Sequence, residues 1–229
     1  LRDIDAEYYA FIGFISPRGI EELVIDRMKE ILHKLDAKSD MSLINTDGYV
    51  DEHGIDYKVA LAKALKPDLI VCIGNYAEKF AGFEIINVNA PKRITKTRVE
   101  REERRLTQYV RFIGKGERVV KIAHANFVFL NTTYDHSIFK GNLVKIGNTI
   151  LTVDSMGGMF IGLGIRDTVM GFGTIRRITE GKMEINTQYE GKVDTIMLSS
   201  IKLSHNMGSE YRLPLSMDRG KGSEGLALS

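Results

Sequence analysis

The chain has 229 residues, 43% of them hydrophobic and 27% charged, with a formal net charge of +2, values of an ordinary globular protein able to bury a sizeable core. One cysteine excludes an internal disulfide, and no apolar run approaches the roughly 20 residues of a membrane span. No secretory leader opens the sequence, so a protein of the cytoplasm, or of the nucleus in a eukaryote, is expected, and the opening Leu1 suggests a chain that continues upstream.

Taken in order, Tyr8 to Ile15 is an apolar run that reads as a buried strand, stopped by the turn Ser16-Pro17-Arg18-Gly19. From Glu21 to Leu35, Leu23, Val24, Met28, Ile31, Leu32 and Leu35 recur at helical spacing and predict an amphipathic helix. Met41 to Thr46 predicts a short strand ending at Asp47-Gly48, Asp56 to Leu65 a second helix closed by Lys66-Pro67, and Leu69 to Ile73 a third strand. Cys72 sits inside that last run and reads as a buried thiol rather than a nucleophile. Strand, helix, strand, helix, strand predicts a parallel sheet with flanking helices, whose functional residues collect at the carboxyl ends of the strands. Ser16, Asn45-Thr46 and Gly74-Asn75 fall there.

Between Pro91 and Lys121 stand eleven Lys or Arg against four Glu, an excess of seven, with a helix expected over Ile94 to Val110. Such a stretch is a candidate phosphate-binding surface. Beyond Gly114 the pattern changes to short β-branched segments at 119–123, 126–130, 143–146, 149–153, 159–165, 173–178, 182–187 and 195–203, predicting an all-β domain. The expected domains are thus 1–113 and 114–229, with a Gly- and Ser-rich tail from Ser216 that reads as mobile. His53, His124, His136 and His205 lack metal-like spacing, and Gly157 to Gly164 reads as strand bends or close packing rather than a nucleotide loop.

Three ordered motifs carry a resemblance. Leu43-Ile44-Asn45-Thr46-Asp47-Gly48-Tyr49-Val50 precedes a helix and the Lys66-Pro67-Asp68 strand entry. Phe11-Ile12-Gly13-Phe14-Ile15-Ser16-Pro17 lies upstream of it, and Arg98 to Arg105 followed by Tyr109 to Gly114 lies downstream. The chain resembles the C-terminal two-thirds of an archaeal-type polynucleotide 5′-hydroxyl kinase, a P-loop family tied to RNA 3′-end processing, pre-tRNA splicing and ribosomal RNA maturation. The resemblance implies a partial P-loop kinase core followed by a β domain, and transfer of the ATP γ-phosphate to RNA or DNA 5′-hydroxyl ends with Mg²⁺. It implies lid arginines at Arg101 and Arg105, with Arg98 and Arg104 nearby. It also implies substrate contacts from Tyr49, Thr46, Asn45 and Ser16, Tyr49 standing where the family usually has a base-stacking tryptophan. Read from the residues alone, the arginine run also suits a solvated helix, and Tyr49, Thr46 and Ser16 also suit turn and cap roles.

The family's phosphate cradle, Gly-x-x-x-x-Gly-Lys-Ser/Thr, is absent: none of the Gly-Lys pairs at 114, 181, 191 and 220 is followed by Ser or Thr. Its metal-binding aspartate lies ahead of the segment where this chain begins. The expected role is therefore the acceptor groove and lid of the kinase, the chain alone being inactive. The alternative is a non-catalytic RNA-binding or scaffold protein that keeps the groove without the nucleotide site. Single-stranded RNA or DNA 5′ ends are the expected partners, with no membrane.

Overall fold

Acidic residues open the first helix and basic ones close it, matching the helix dipole: α1, Glu21–Leu35, begins on Glu21 and Glu22 and ends on His33 and Lys34. The computed structural model describes residues 6–35, 38–89 and 97–215. Helix α2, Glu52–Leu65, is capped by Asp51, whose Oδ1 accepts the Gly54 N–H at 2.9 Å, and ends on Lys66 in the left-handed conformation, φ 50°. Strands β1, Ile70–Ile73, and β2, Ile85–Val88, pair in parallel, with Val71 opposite Ile86 and Ile73 opposite Val88. These elements make one compact unit, Pro17–Thr97.

The other unit joins the chain up to Ser16 with the chain from Arg98 onward. Helix α3, Arg98–Ile113, buries Tyr109 and Ile113 against Phe160, Ile201 and Leu203. Gly114 follows it at φ +67°, and Gln188 Nε2 donates to the terminal carbonyls of Arg111 and Phe112. The strands that follow are β3 Glu117–Lys121, β4 Asn126–Phe129, β5 Thr132–Tyr134, β6 Phe139–Lys140, β7 Leu143–Ile146 and β8 Thr149–Thr152. After them come β9 Phe160–Ile165, β10 Thr168–Thr179, β11 Lys182–Asn186, β12 Thr195–Met197, β13 Ile201–Leu203 and β14 Glu210–Arg212. One sheet runs β3-β11-β10-β9-β12-β4-β5, antiparallel except for the β12–β4 pair, beside the sheets β6-β7-β8 and β13-β14. Its core is fully buried Phe127, Met156, Met159, Ile161, Met183 and Ile196.

The expected class, a parallel α/β part followed by an antiparallel β-rich part, is what the chain adopts. The sequence pattern breaks at residue 113, between α3 and β3, whereas by contacts α3 groups with the strands it packs on. Two expected strands do not form. Tyr8 to Ile15 makes no strand; instead Phe11 packs 5.7 Å from the Phe160 ring, Phe14 lies 5.8 Å from Phe129, and the Gly13 carbonyl accepts the Ser200 N–H. The apolar drive to bury these rings is non-directional and is met by the face of the β-rich unit rather than by a ladder. Met41 to Thr46 is also irregular, with Met41 and Leu43 84% and 89% exposed. The long 195–203 segment divides at Leu198 into β12 and β13, and β2, β5, β6 and β14 were not expected. The helix expected from Ile94 begins at Arg98, residues 90–96 and the tail from 216 lying outside the described residues.

Candidate nucleic-acid interface

In the unit 17–97 the Asp47-Gly48-Tyr49 turn is tied to α2 through its own polar groups. Asp47 Oδ1 accepts the Tyr49 N–H at 2.9 Å and the Lys58 ammonium at 2.7 Å, and Lys58 also donates to the Tyr49 carbonyl at 2.7 Å. An Asx turn of this kind folds locally because the side chain stands in for a backbone acceptor. The tyrosine is held at its far end too: Arg18 Nε donates to Tyr49 Oη at 3.1 Å while Arg18 Nη2 pairs with the capping Asp51 at 2.7 Å. These contacts raise the Arg18 pKa, the Tyr49 hydrogen bond first among them. The half-buried Tyr49 ring lies 6.5 Å from the Tyr57 ring and close against Gly54, where a Cβ would stand 2.4 Å from the Tyr49 carbonyl oxygen. Burial, then the charges of Asp47 and Glu21, push the Tyr57 hydroxyl up to about 12. Asn45 and Thr46 are exposed just before this turn.

In the other unit Ser16 lies half-buried in a bend at the end of the N-terminal segment. The arginines of α3 divide into two kinds. Arg105 is committed to Glu210 of β14: its Nε donates to Oε2 at 2.9 Å and to Oε1 at 3.0 Å, and its Nη2 to Oε1, a bidentate fork on a carboxylate only 8% exposed. The Glu210 hydrogen bond is the main cause of the raised Arg105 pKa. Arg98, Arg101 and Arg104 are exposed, and Arg101, Arg104 and Arg111 recur at i, i+3 and i+10 on one stripe turned away from the buried Tyr109 and Ile113. The helix is thus anchored by its apolar stripe and Arg105, and Arg101, Arg104 and Arg111 are exposed on its outer flank.

Sequence reasoning missed Arg18, Lys58 and Glu210. Arg18 stands in the Ser-Pro-Arg-Gly turn, which signals only a break in the chain, while Glu210, 105 residues from Arg105, leaves no local signal. Among the described residues no group of three or more His, Cys, Asp or Glu is placed to hold a metal ion, and the chain has no Gly-Lys-Ser/Thr loop.

Residues 2–114 match the model of a family described as the mRNA cleavage and polyadenylation factor CLP1 P-loop. The polyribonucleotide 5′-hydroxyl-kinase of Pyrococcus horikoshii is 31% identical over 155 residues, covering 64% of this chain and 41% of that protein. The chain thus spans less than half the length of this relative. A chain in the solved structure described as the extended interface between Pcf11p and Clp1p and the structural basis for ATP loss in a point mutant is similar with a TM-score of 0.50. That similarity covers 80% of this chain and 52% of the other at 11% identity, a likeness of fold alone.

Proposed function

We propose that the chain, whose residues 2–114 match the CLP1 P-loop model and which is 31% identical to a polyribonucleotide 5′-hydroxyl-kinase over 155 residues, is a polynucleotide kinase family member that supplies the acceptor groove and the arginine lid of a polynucleotide 5′-hydroxyl kinase. The observation that carries this reading is the outer flank of α3, where Arg101 and Arg104 stand exposed on a helix whose other side is pinned to the β-rich unit. Phosphoryl transfer asks the protein for positioning and for charge neutralisation, and planar guanidinium forks on a rigid helix supply both. Of the expected pair, Arg101 faces the phosphoryl group and Arg105 serves as the positioning residue that sets the helix. Tyr49, braced by Arg18, offers its ring to the terminal base, and Asn45, Thr46, Ser16 and Arg98 contact the strand backbone.

The ATP cradle and the Mg²⁺ ligands come from a further α/β segment carrying the Gly-Lys-Ser/Thr loop. The β1–β2 pair supports this. Val71, Ile73, Ile86 and Val88 share one face of the parallel pair and are 54%, 60%, 50% and 42% exposed, whereas parallel sheets are covered on both faces. ATP is then the phosphoryl donor of the assembled enzyme and an RNA 5′-hydroxyl its acceptor.

Fluorescence anisotropy of a 5′-hydroxyl oligoribonucleotide tests the groove. Arg101→Glu with Arg104→Glu should weaken binding and flatten its salt dependence, each lost phosphate contact removing about 0.7 from the slope of log K against log salt. Equal binding by the double variant across the titration reduces α3 to a solvated face. Oligonucleotide binding without phosphorylation, once the missing segment is supplied, favours the alternative of a non-catalytic RNA-binding protein.

A further inference from the structure

Away from α3, the β-rich unit carries a cleft of about 540 Å³ between β10, β13 and β14, floored by Gly157 and Gly158 and walled by Arg176, Arg177, Lys202, His205 and Tyr211. Among the described residues no Asp or Glu lines it. Two features of the sheet assemble this wall. The register of β10 on β11 passes from Ile175 opposite Ile185 to Arg177 opposite Glu184, so Arg176 is the extra residue of a β-bulge. Consecutive residues of a regular strand point to opposite faces, and a bulge re-aims one of them, which is how two adjacent arginines come to line one cleft. On the opposite wall Lys202 and Tyr211 are direct partners across the antiparallel β13–β14 pair and therefore neighbours on one face. Tyr211 is 55% exposed, an aromatic ring left to solvent beside a cation.

Each of these cations is held by a partner of its own. Lys202 Nζ donates to the Ser155 carbonyl at 2.9 Å, Arg176 pairs with Glu117 and Arg177 with Glu184, both carboxylates lying outside the cleft lining. A guanidinium has five N–H donors, so an arginine fixed by one carboxylate keeps donors for another anion. Two ion-paired arginines with spare donors, Lys202, an open tyrosine ring and a described lining without a carboxylate suit a chain that alternates anionic phosphates with flat bases.

The geometry points to this cleft as a second nucleic-acid contact, which holds a phosphate of a single-stranded polynucleotide on Arg177 and Lys202 and stacks the adjoining base on Tyr211. This rests on the reading of the chain as a polynucleotide-acting protein and adds a grip on the strand apart from the one that meets its 5′ end. Arg176 widens the positive wall, and the bulge fixes its spacing.

The test is anisotropy of a labelled oligoribonucleotide of about 20 nucleotides with the 229-residue chain, alongside thermal melting. Tyr211→Ala should weaken binding about tenfold and Tyr211→Phe should keep it, because the ring rather than the hydroxyl stacks. Lys202→Gln should lower affinity and reduce the salt slope by about 0.7. Unaltered affinity of a folded Lys202→Gln, Tyr211→Ala double variant, while Arg101→Glu with Arg104→Glu weakens binding, overturns the cleft and leaves the kinase reading standing. Absence of oligonucleotide binding by the unaltered chain overturns both. An acidic peptide that binds as tightly as the oligonucleotide and is indifferent to Tyr211→Ala makes the cleft a protein contact and overturns the proposal too.

Discussion

Arg105 shows how one residue identity can serve two different ends. Its spacing from Arg101 resembles a phosphate-gripping pair, yet its fork is spent on Glu210, a carboxylate 8% exposed. Removing it leaves that carboxylate without its cationic partner, so Arg105→Ala should destabilise the fold by about 1–3 kcal/mol, the lower end reflecting the partial exposure of the arginine. For a chain of this size that is a loss of several degrees in Tm, whereas Arg101→Ala and Arg104→Ala should leave Tm nearly unchanged and act on oligonucleotide affinity. Calorimetric melting of the three variants separates them, and an unshifted Arg105→Ala would show the fork to be dispensable. Tyr49 has the converse character: its hydroxyl and one side of its ring are occupied by Arg18, Tyr57 and Gly54. Tyr49→Ala should therefore lower Tm and also weaken binding about tenfold, while Tyr49→Phe, which loses only the Arg18 bond, should retain affinity. An alanine variant that melts early but binds normally would remove Tyr49 from the groove.

At the scale of elements, helices announced themselves because their apolar stripes, caps and end charges are local. The 21–35 helix matches its expected bounds, and α2 gains only a first turn from its Asp51 cap. The short β segments beyond Gly114 were legible for the same reason, whereas the Arg105–Glu210 pair and the 8–15 run were not, since both depend on partners more than a hundred residues away. Helix α2 also carries a pH signature. Tyr57 titrates near 12 in the fold, against 10.0 ordinarily, because burial and nearby carboxylates disfavour its phenolate. The unfolded chain loses that proton first, so the stabilisation is complete below about pH 10 and is lost as pH rises towards 12. Urea midpoints taken at intervals from pH 9 to 12 should fall, and Tyr57→Phe should make the fall shallower. A variant that declines as steeply as the unaltered chain would assign the alkaline loss to other groups.

For the molecule as a whole, the parallel β1–β2 sheet with its exposed apolar face is the most informative feature. Of the three parallel strands that the sequence predicts, only the one at 69–73 forms, as β1, and it pairs with the unpredicted β2; Met41 and Leu43 are exposed where another strand was expected, and one face of β1–β2 is uncovered. Period-2 apolar patterns promise a strand only when a neighbouring ladder exists to receive it, which is why this part of the fold could not be read correctly from the 229 residues. Val71→Lys with Ile86→Lys should leave the Tm of this chain within about a degree, since neither side chain is buried, and should abolish association with a family segment bearing the Gly-Lys-Ser/Thr loop. Co-purification of the charged variant with that segment at unaltered yield would place the missing part elsewhere. The most direct measurement is transfer of labelled γ-phosphate from ATP to a 5′-hydroxyl oligoribonucleotide by this chain joined to such a segment. The account predicts transfer by the joined protein, none by the chain alone, and a loss of roughly a hundredfold in kcat for Arg101→Ala with Tm unchanged; phosphorylation by the chain alone, or full activity in the Arg101→Ala, Arg104→Ala double variant, would contradict it.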